Sequence, residues 1–178
     1  MTTEIQAIAW QGDALVLLDQ TRLPGAEVSV ECRDVDALVD AVRRLVVRGA
    51  PALGAVGGYG VAMAMLQGQR EGWTADRLKA EVDRVRDARP TAVNLAWGVD
   101  RVRPLMSEGV DAVIAEAHRI VAEDTAANRQ LSRHGADWIL ARCGRRPLRV
   151  VTHCNTGALA TTGWGTAFGI IRELAERG

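Results

Sequence analysis

The sequence predicts an α+β fold, with a small β element, then a mainly helical domain, then the first strand and helix of an α/β domain. Apolar residues alternate with polar ones near the start of the chain and recur at helical spacing through the middle. A short β-branched run follows Pro147. At 178 residues the chain can form one sizeable core, since about 150 residues per domain is the usual expectation.

The β element comes first. Alternation around Ala7 and Ala9, turn-forming residues at 11–13 and the apolar run Ala14–Leu18 predict a β-hairpin. A polar loop follows. Apolar residues on alternate positions from Val28 to Cys32 then predict a third short strand.

Helical spacing begins at Val35, and Asp34 is the expected N-cap of a helix that ends near Gly49. Proline suits a first helical turn because its missing N–H has no partner there in any case. A Gly-rich buried helix is therefore predicted from Pro51 to about Gln67.

Two shorter helices are predicted next, with Thr74 and Thr91 as their N-caps and a break at residues 88–91 between them. The longest helical pattern begins beyond Gly109. Its inward stripe is expected to contain apolar residues: Val113, Ala117, Ile120, Leu131 and Trp138.

Two polar residues, Asp124 and Asn128, lie on the same stripe. A buried polar group without a partner costs about 1–3 kcal/mol, so both should be paired. We expect them to face a polar pocket or each other. The alternative is a purely structural hydrogen-bonded pair.

Residues 148–152 form a β-branched run typical of a buried parallel strand, and a polar loop and a small-residue helix to about Glu176 follow. The sequence thus divides into residues 1–146, the β-hairpin and helical domain, and residues 147–178, the start of an α/β domain that is cut short. One strand and one helix cannot form a sheet alone.

Composition excludes several classes of function. With 22 basic and 22 acidic residues the net charge is zero, so binding to nucleic acid or an anionic membrane is not expected. The first residues lack a secretory signal, and the uncharged stretches contain too much glycine, proline and polar residue to span a membrane. Three distant cysteines indicate neither disulfides nor zinc and fit a reducing cytoplasm. We find no pattern for a metal or nucleotide cofactor.

Arg48, Gly49 and Ala50 precede Pro51 at the start of the Gly-rich helix. A guanidinium beside unpaired helix N-terminal N–H groups forms an anion site, and phosphate is the natural ligand. Arg89 is a second arginine held in a rigid turn before a helix. The alternative is that both are ordinary surface arginines.

Cys154 lies where the predicted strand 148–152 ends in a polar loop. Ligands of open α/β sheets bind at such strand ends, so Cys154 is a candidate acid, base or transition-state hydrogen-bond donor. The alternative is a small buried residue, which is what we expect of Cys32 and Cys143. His153 should point to the opposite face of the strand, so no Cys–His pair is predicted.

Four motifs occur in order, and together they resemble the methylthioribose-1-phosphate isomerase family. They are LDQTRLP (residues 18–24), VRGAPALG (47–54), RPTAVNL (89–95) and THCNTGALAT (152–161). The resemblance covers the whole chain but only the N-terminal portion of the family. Less similar relatives are ribose-1,5-bisphosphate isomerases and regulatory subunits of the translation guanine-nucleotide exchange factor.

The resemblance implies roles for particular residues. Arg48, Gly49 and Ala50 would bind substrate, Arg89 would also contact it, and Cys154 matches the active-site cysteine. The family's proton-donating aspartate lies in its C-terminal Rossmann-like domain, beyond Gly178. We therefore expect the 178-residue chain alone to be inactive.

The implied reaction is the aldose–ketose isomerisation of 5-methylthioribose 1-phosphate to 5-methylthioribulose 1-phosphate in methionine salvage. The resemblance also implies a homodimer without cofactor. Two alternatives stay open, namely a ribose-1,5-bisphosphate isomerase and a non-catalytic regulatory subunit that senses a sugar phosphate or a nucleotide.

Overall fold

The computed structural model describes residues 6–144 and 147–178. Its N-terminal sheet consists of β1 (Ile8–Gln11), β2 (Ala14–Leu18) and β3 (Ser29–Cys32), paired antiparallel in that order. Gly12 adopts φ of 63° between β1 and β2, a conformation that glycine reaches without strain in a tight hairpin turn. The predicted hairpin and third strand are confirmed.

Helix α1 (Val35–Arg43) begins where the sequence predicts. The side chain of Asp34 caps it by accepting a hydrogen bond from the Ala37 N–H at 2.7 Å. The helix ends before the predicted Gly49, because Leu45 adopts a left-handed φ of 65°. Val46 and Val47 are then buried in the connection to the next helix.

Helix α2 (Ala50–Glu71) is the centre of the core, and most of its residues are buried. Helix α4 (Val93–Val102) crosses it at very short distance. A Cβ atom built on Gly98 would lie 1.9 Å from the carbonyl oxygen of Gly54. Glycine at this crossing therefore allows the two backbones to touch, as the Gly-rich sequence suggests.

Helix α3 (Ala75–Arg86) is capped by Thr74, as predicted. The predicted cap of α4 is wrong, because Ala92 occupies the N-cap position of α4 and no side chain caps that helix. The 3₁₀ helix Arg103–Glu108 follows α4 directly. Proline at its first turn removes an N–H that an α-helix would need to continue.

Helix α5 (Val110–Arg142) is the longest element. Its first half buries Val113, Ala117 and Ile120 as predicted, but Leu131 and Trp138 are exposed. The inward face of its second half instead carries Asn128, Ser132 and Ala136. This half extends beyond the main core and packs against α6 (Ala167–Glu176), where smaller side chains fit.

The predicted strand at residues 148–152 does not form. These residues belong to no sheet, and Val151 is 96% exposed. A strand needs a hydrogen-bonded neighbour, and in the described part of the chain the three strands pair only with one another. The helix predicted after residue 157 is split into the 3₁₀ turn Ala158–Ala160 and α6.

The described chain is thus mainly helical with one small sheet, which confirms the α+β class. The proposed domain boundary at Arg146 lies outside the described residues. Within residues 6–144 and 147–178, no helix combines the length and the apolar character that crossing a membrane requires.

Candidate active site

A cavity of about 440 Å³ opens at the N-terminus of α2. Three separate parts of the chain line it, and they form two walls. We call the first the arginine wall, formed by Leu45, Arg48, Gly49, Ala50, Pro51 and Arg89. We call the second the loop wall, formed by Asn155, Ala160, Thr161 and Thr166. The structure therefore brings Arg48, Gly49, Ala50 and Arg89, all singled out from the sequence, around one space.

The arginine wall begins at the first turn of α2. Gly49 is the N-cap residue, has no side chain to cap the helix, and precedes Pro51 in the first turn. The first N–H groups of α2 are therefore available to a ligand. The helix dipole favours an anion here by about 0.3–1 kcal/mol. Arg48 is exposed beside this turn and adds a full positive charge.

Arg89 lies in the connection between α3 and α4. Its carbonyl oxygen accepts a hydrogen bond from the Ala92 N–H at 2.9 Å, which fixes the turn. The side chain is half-buried, and its Nη1 atom is buried without a hydrogen-bond partner among the described residues. A buried donor left without a partner is costly, so this nitrogen is prepared to bind an anion.

The loop wall is stabilised by short polar contacts within residues 156–166. The Thr166 N–H donates to the Thr156 carbonyl at 2.8 Å, and the Thr161 hydroxyl donates to the Gly163 carbonyl at 2.6 Å. Thr161 is fully buried although it is polar. These bonds close the segment into a compact turn ahead of α6.

Helix α5 holds the loop wall from behind through Asp124. One carboxylate oxygen of Asp124 accepts hydrogen bonds from the Thr162 N–H at 2.9 Å and from the Thr162 hydroxyl at 2.8 Å. Asp124 is therefore paired with Thr162 rather than with Asn128. Asn128 is buried, and its Nδ2 atom has no partner among the described residues. Neither residue lines the cavity.

The two walls touch directly at Gly49. A Cβ atom on this residue would lie 2.0 Å from the carbonyl oxygen of Ala160. Real Cβ atoms never approach so closely, so only glycine fits where the loop wall rests on the start of α2. The sequence identified Gly49 as part of an anion site but gave no sign of this contact.

Cys154 is exposed beside the cavity, and its neighbour Asn155 lines it. The prediction that Cys154 has no histidine partner is wrong. Its Sγ atom lies 3.0 Å from Nδ1 of His153. That prediction assumed the alternating directions of strand side chains. No strand forms here, and Cys154 adopts a left-handed φ of 66°, so the two side chains can meet.

The other cysteines differ from each other. Cys32 is buried as predicted, and burial raises the pKa of its thiol to about 11. Cys143 was expected to be buried but is exposed, since it follows the last turn of α5 beyond the core. Neither lines the cavity.

The cavity carries positive charge without compensation. Two arginines line it, and among the described residues that line it there is no carboxylate. Elsewhere in the described chain most arginines pair with acidic side chains, as Arg86 does with Asp100. No group of three or more metal-type ligands occurs within residues 6–144 and 147–178. The site is therefore suited to an anion.

The sequence of residues 46–178 matches the initiation factor 2 subunit family. The chain belongs to the initiation factor 2 subunit family. This range contains every residue singled out above for the two walls except Leu45.

Curated relatives of this initiation factor 2 subunit family member carry isomerase names. The chain is 49% identical over 97% of its length to a Nocardia farcinica protein named "probable bifunctional methylthioribose-1-phosphate isomerase/methylthioribulose-1-phosphate dehydratase", of which it covers 31%. It is 42% identical over 98% of its length to the methylthioribose-1-phosphate isomerase of Desulforudis audaxviator, of which it covers 51%. The resemblance stated from the four motifs is confirmed.

Two solved structures share the fold of this family member. The translation initiation factor eIF-2B subunit delta from A. fulgidus superposes with a TM-score of 0.80 at 40% identity, covering 98% of this chain and 52% of that one. The 5-methylthioribose 1-phosphate isomerase from Pyrococcus horikoshii superposes with a TM-score of 0.81 at 27% identity, covering 97% and 50%. The chain spans about a third to a half of the length of these relatives.

Proposed function

We propose that this chain forms the phosphate-binding half of an aldose–ketose isomerase that converts 5-methylthioribose 1-phosphate to 5-methylthioribulose 1-phosphate. The observation that carries the proposal is the cavity that joins Arg48, Gly49, Ala50 and Arg89 to the loop beside Cys154. The isomerase names of the curated relatives support the choice of substrate.

Phosphate binding is the task of the arginine wall. The sugar phosphate is a dianion near neutral pH, and two guanidinium groups with a helix N-terminus match it in charge and geometry. The buried Nη1 of Arg89 gains the partner that it lacks in the described chain. Arg48 can form a bidentate pair with two phosphate oxygens.

Cys154 is the proposed reacting group. The anomeric oxygen of the substrate is phosphorylated, so the sugar ring cannot open to a free aldehyde. The site must therefore assist ring opening and then move one hydrogen from C2 to C1. We propose that Cys154 stabilises the charge that develops during this transfer, as a hydrogen-bond donor or proton relay.

A second acid or base is needed for this chemistry. His153 lies beside Cys154 Sγ, and we propose that the site is completed by a further group that no lining residue of the described cavity supplies. Proton transfer requires a group within about 2.6–3.2 Å of the moving proton. The lining residues of both walls include no carboxylate, and Asp124 is occupied by Thr162. We therefore propose that the 178 residues bind the sugar phosphate but need a group supplied by a longer chain, in a Rossmann-like domain, for turnover.

The context that we propose follows from the substrate. The reaction belongs to methionine salvage, in the cytoplasm, with a homodimer as the working form and no cofactor. These points rest on the resemblance and on the relatives' names.

Titration calorimetry tests the proposal. The chain should bind 5-methylthioribose 1-phosphate but not unphosphorylated 5-methylthioribose. The substitution Arg48→Lys keeps the charge but loses the planar fork, so affinity should fall by about 1.5–3 kcal/mol, or roughly tenfold or more. The matched control is Arg43→Lys, since Arg43 is exposed in the last turn of α1 and does not line the cavity.

Unchanged affinity in Arg48→Lys would place the phosphate elsewhere. Formation of the ketose is followed separately by NMR, on this chain and on a chain of the relatives' length. Turnover by the 178 residues above about one thousandth of the longer chain's rate would show that the second catalytic group is already present. Binding without turnover in both would favour the regulatory sensor.

A further inference from the structure

The strongest unexplained feature of the molecule is a buried glutamine between the two walls. Gln20 follows β2 in the polar loop predicted from the sequence, yet it is only 2% exposed. A buried amide that belongs to no regular element is usually stabilised by specific hydrogen bonds. In Gln20 the backbone N–H and the side-chain Nε2 have partners, whereas Oε1 has none among the described residues. The hydrogen-bond partners of Gln20 indicate its role.

Gln20 bonds to both walls. Its backbone N–H donates to the carbonyl of Val46 at 3.0 Å, two residues before Arg48. Its side-chain Nε2 donates to the carbonyl of Leu159 at 2.8 Å, one residue before Ala160. One residue thus joins the chain leading into the arginine wall to the chain leading into the loop wall.

The loop that presents Gln20 is itself rigid. The Asp19 N–H donates to the Val28 carbonyl at 2.8 Å, and the Asp19 carboxylate accepts from the Thr21 N–H and hydroxyl at 2.9 and 2.6 Å. Asp19 is buried as well. Gln20 is therefore held on both sides along the chain.

The contact between the two walls next to Gln20 is closely packed. Gly49 and Ala160 already touch, with no space for even a Cβ atom. The Leu159 carbonyl comes directly before that contact, so the bond from Gln20 acts on the loop wall next to the point where it meets α2, in addition to the Asp124–Thr162 bonds on the other side. If the bond is lost, the half-buried Leu159 carbonyl loses this partner, and we expect the loop wall to open more readily.

We propose that Gln20 is a positioning residue that fixes the spacing between the two walls and thereby the place of the Cys154 loop over the bound phosphate. Gln20 does not line the cavity, so it acts through Leu159 and Val46 and not by touching the ligand. The part of the proposal that concerns ligand affinity rests on the proposed function, whereas the part that concerns the loop does not.

Hydrogen exchange of the unliganded chain tests the loop directly. Gln20→Met keeps the length of the side chain but cannot donate a hydrogen bond. We expect amide exchange in residues 156–166 to become at least about tenfold faster, while the amides of α2 stay protected. Gln20→Asn, which is too short to reach Leu159, should give the same local pattern if the first variant folds poorly.

The matched control is Gln67→Met. Gln67 also hydrogen-bonds the backbone over a long sequence separation, since its Oε1 accepts from the Val35 N–H at 3.0 Å, but it lies away from the cavity. This control should leave exchange in residues 156–166 unchanged. Equal exchange in the wild type and both Gln20 variants, or faster exchange throughout the chain alike, would overturn the positioning role.

Calorimetry with 5-methylthioribose 1-phosphate then connects position to binding. Gln20→Met should weaken affinity about five- to tenfold, and Gln67→Met should not change it. If the wild type binds and Gln20→Met binds equally well, the positioning proposal is wrong although the proposed function stands. If the wild type does not bind, the proposed function fails, and the exchange result still decides the role of Gln20 in seating the loop.

Discussion

The two walls of the cavity are built in different ways. The arginine wall stands on α2, whose residues are buried on nearly every side and packed tightly against α4. The loop wall belongs to a segment in which residues 149–155 are exposed and outside any regular element. The arginine wall is therefore part of a tightly packed helix, whereas the loop wall follows an exposed segment and depends more on polar contacts.

The energies behind the two walls differ accordingly. Each large apolar side chain buried on α2, such as Leu53 or Val56, contributes about 1.5–3 kcal/mol. The loop wall combines a few apolar contacts, since Leu159 packs against the core and Trp164 is buried, with hydrogen bonds such as those of Gln20 and Asp124, which contribute about 0.5–1.5 kcal/mol each. Low local stability is typical of segments that move around a ligand. We therefore expect the loop wall to respond to substitutions that leave the arginine wall unchanged.

The largest expected effect is on the rate of isomerisation, and it distinguishes the proposed catalytic role of Cys154 from the proposed binding role of the arginine wall. In a chain of the relatives' length that shows turnover, Cys154→Ala should reduce kcat at least about a hundredfold, because the group proposed to stabilise the transition state is removed. Affinity for 5-methylthioribose 1-phosphate should stay within about threefold, since binding depends on the arginine wall. Steady-state kinetics and calorimetry measure the two quantities.

Cys143→Ala serves as the matched control, because Cys143 is also exposed but has no neighbour in the chain that lines the cavity. It should leave kcat unchanged. Near-normal turnover in Cys154→Ala would remove the catalytic role of the loop, and with it the division of labour between the walls.

The second expected effect concerns the place where the walls meet. Gly49→Ala introduces a Cβ atom 2.0 Å from the Ala160 carbonyl oxygen. Overpacking of this kind lowers the free energy of unfolding by about 1–3 kcal/mol. Because α2 cannot shift, we expect the loop wall to move. Urea denaturation measures the stability loss, and hydrogen exchange should increase in residues 156–166 rather than in α2.

Gly25→Ala is the control for this substitution. A Cβ atom on Gly25 would meet the Arg22 carbonyl at 3.6 Å, an ordinary contact. Its effect on stability should be small. If Gly49→Ala and Gly25→Ala change the free energy of unfolding equally, the close contact between the walls does not contribute to stability.

The sequence predicted the local structure around the arginine wall, because those features are local, whereas the substrate-binding role of its residues stays a prediction. A helix start after Gly49 with Pro51 in its first turn is legible in a few residues, and so is an arginine before a proline at Arg89. The Gly-rich pattern of α2 likewise indicated close backbone packing. That Arg48 and Arg89 line one cavity follows from the tertiary fold and was supplied only by resemblance.

The loop wall was predicted poorly, and the reason is physical. The β-branched run at residues 148–152 resembles a strand, but strand formation depends on a neighbour that local sequence cannot reveal. The error propagated to His153 and Cys154, whose relative directions were derived from that strand. Gln20 lies in the motif of residues 18–24, but its burial was not predicted, because a polar residue in a turn-rich loop gives no local sign that it is buried.

The smallest expected effect concerns the turn that holds Gln20 and so joins the walls. Hydrogen bonds from the Thr21 hydroxyl and N–H hold the pKa of Asp19 below its ordinary value. A carboxylate with a lowered pKa in the folded state stabilises the fold above its unfolded pKa of about 3.9, and this stabilisation is lost as pH falls through the lower folded value. Asp19→Asn should therefore destabilise the chain at pH 7, and its difference from the wild type should shrink as pH is lowered below about 4. Urea denaturation at the two pH values measures the difference, with Glu27→Gln as the control because Glu27 is an exposed carboxylate of the same loop. If the difference in stability between Asp19→Asn and the wild type stays constant with pH, the turn does not depend on the charge of Asp19. The rigidity of the connection between the walls would then have to come from the backbone hydrogen bonds to Val28 and Val46 alone.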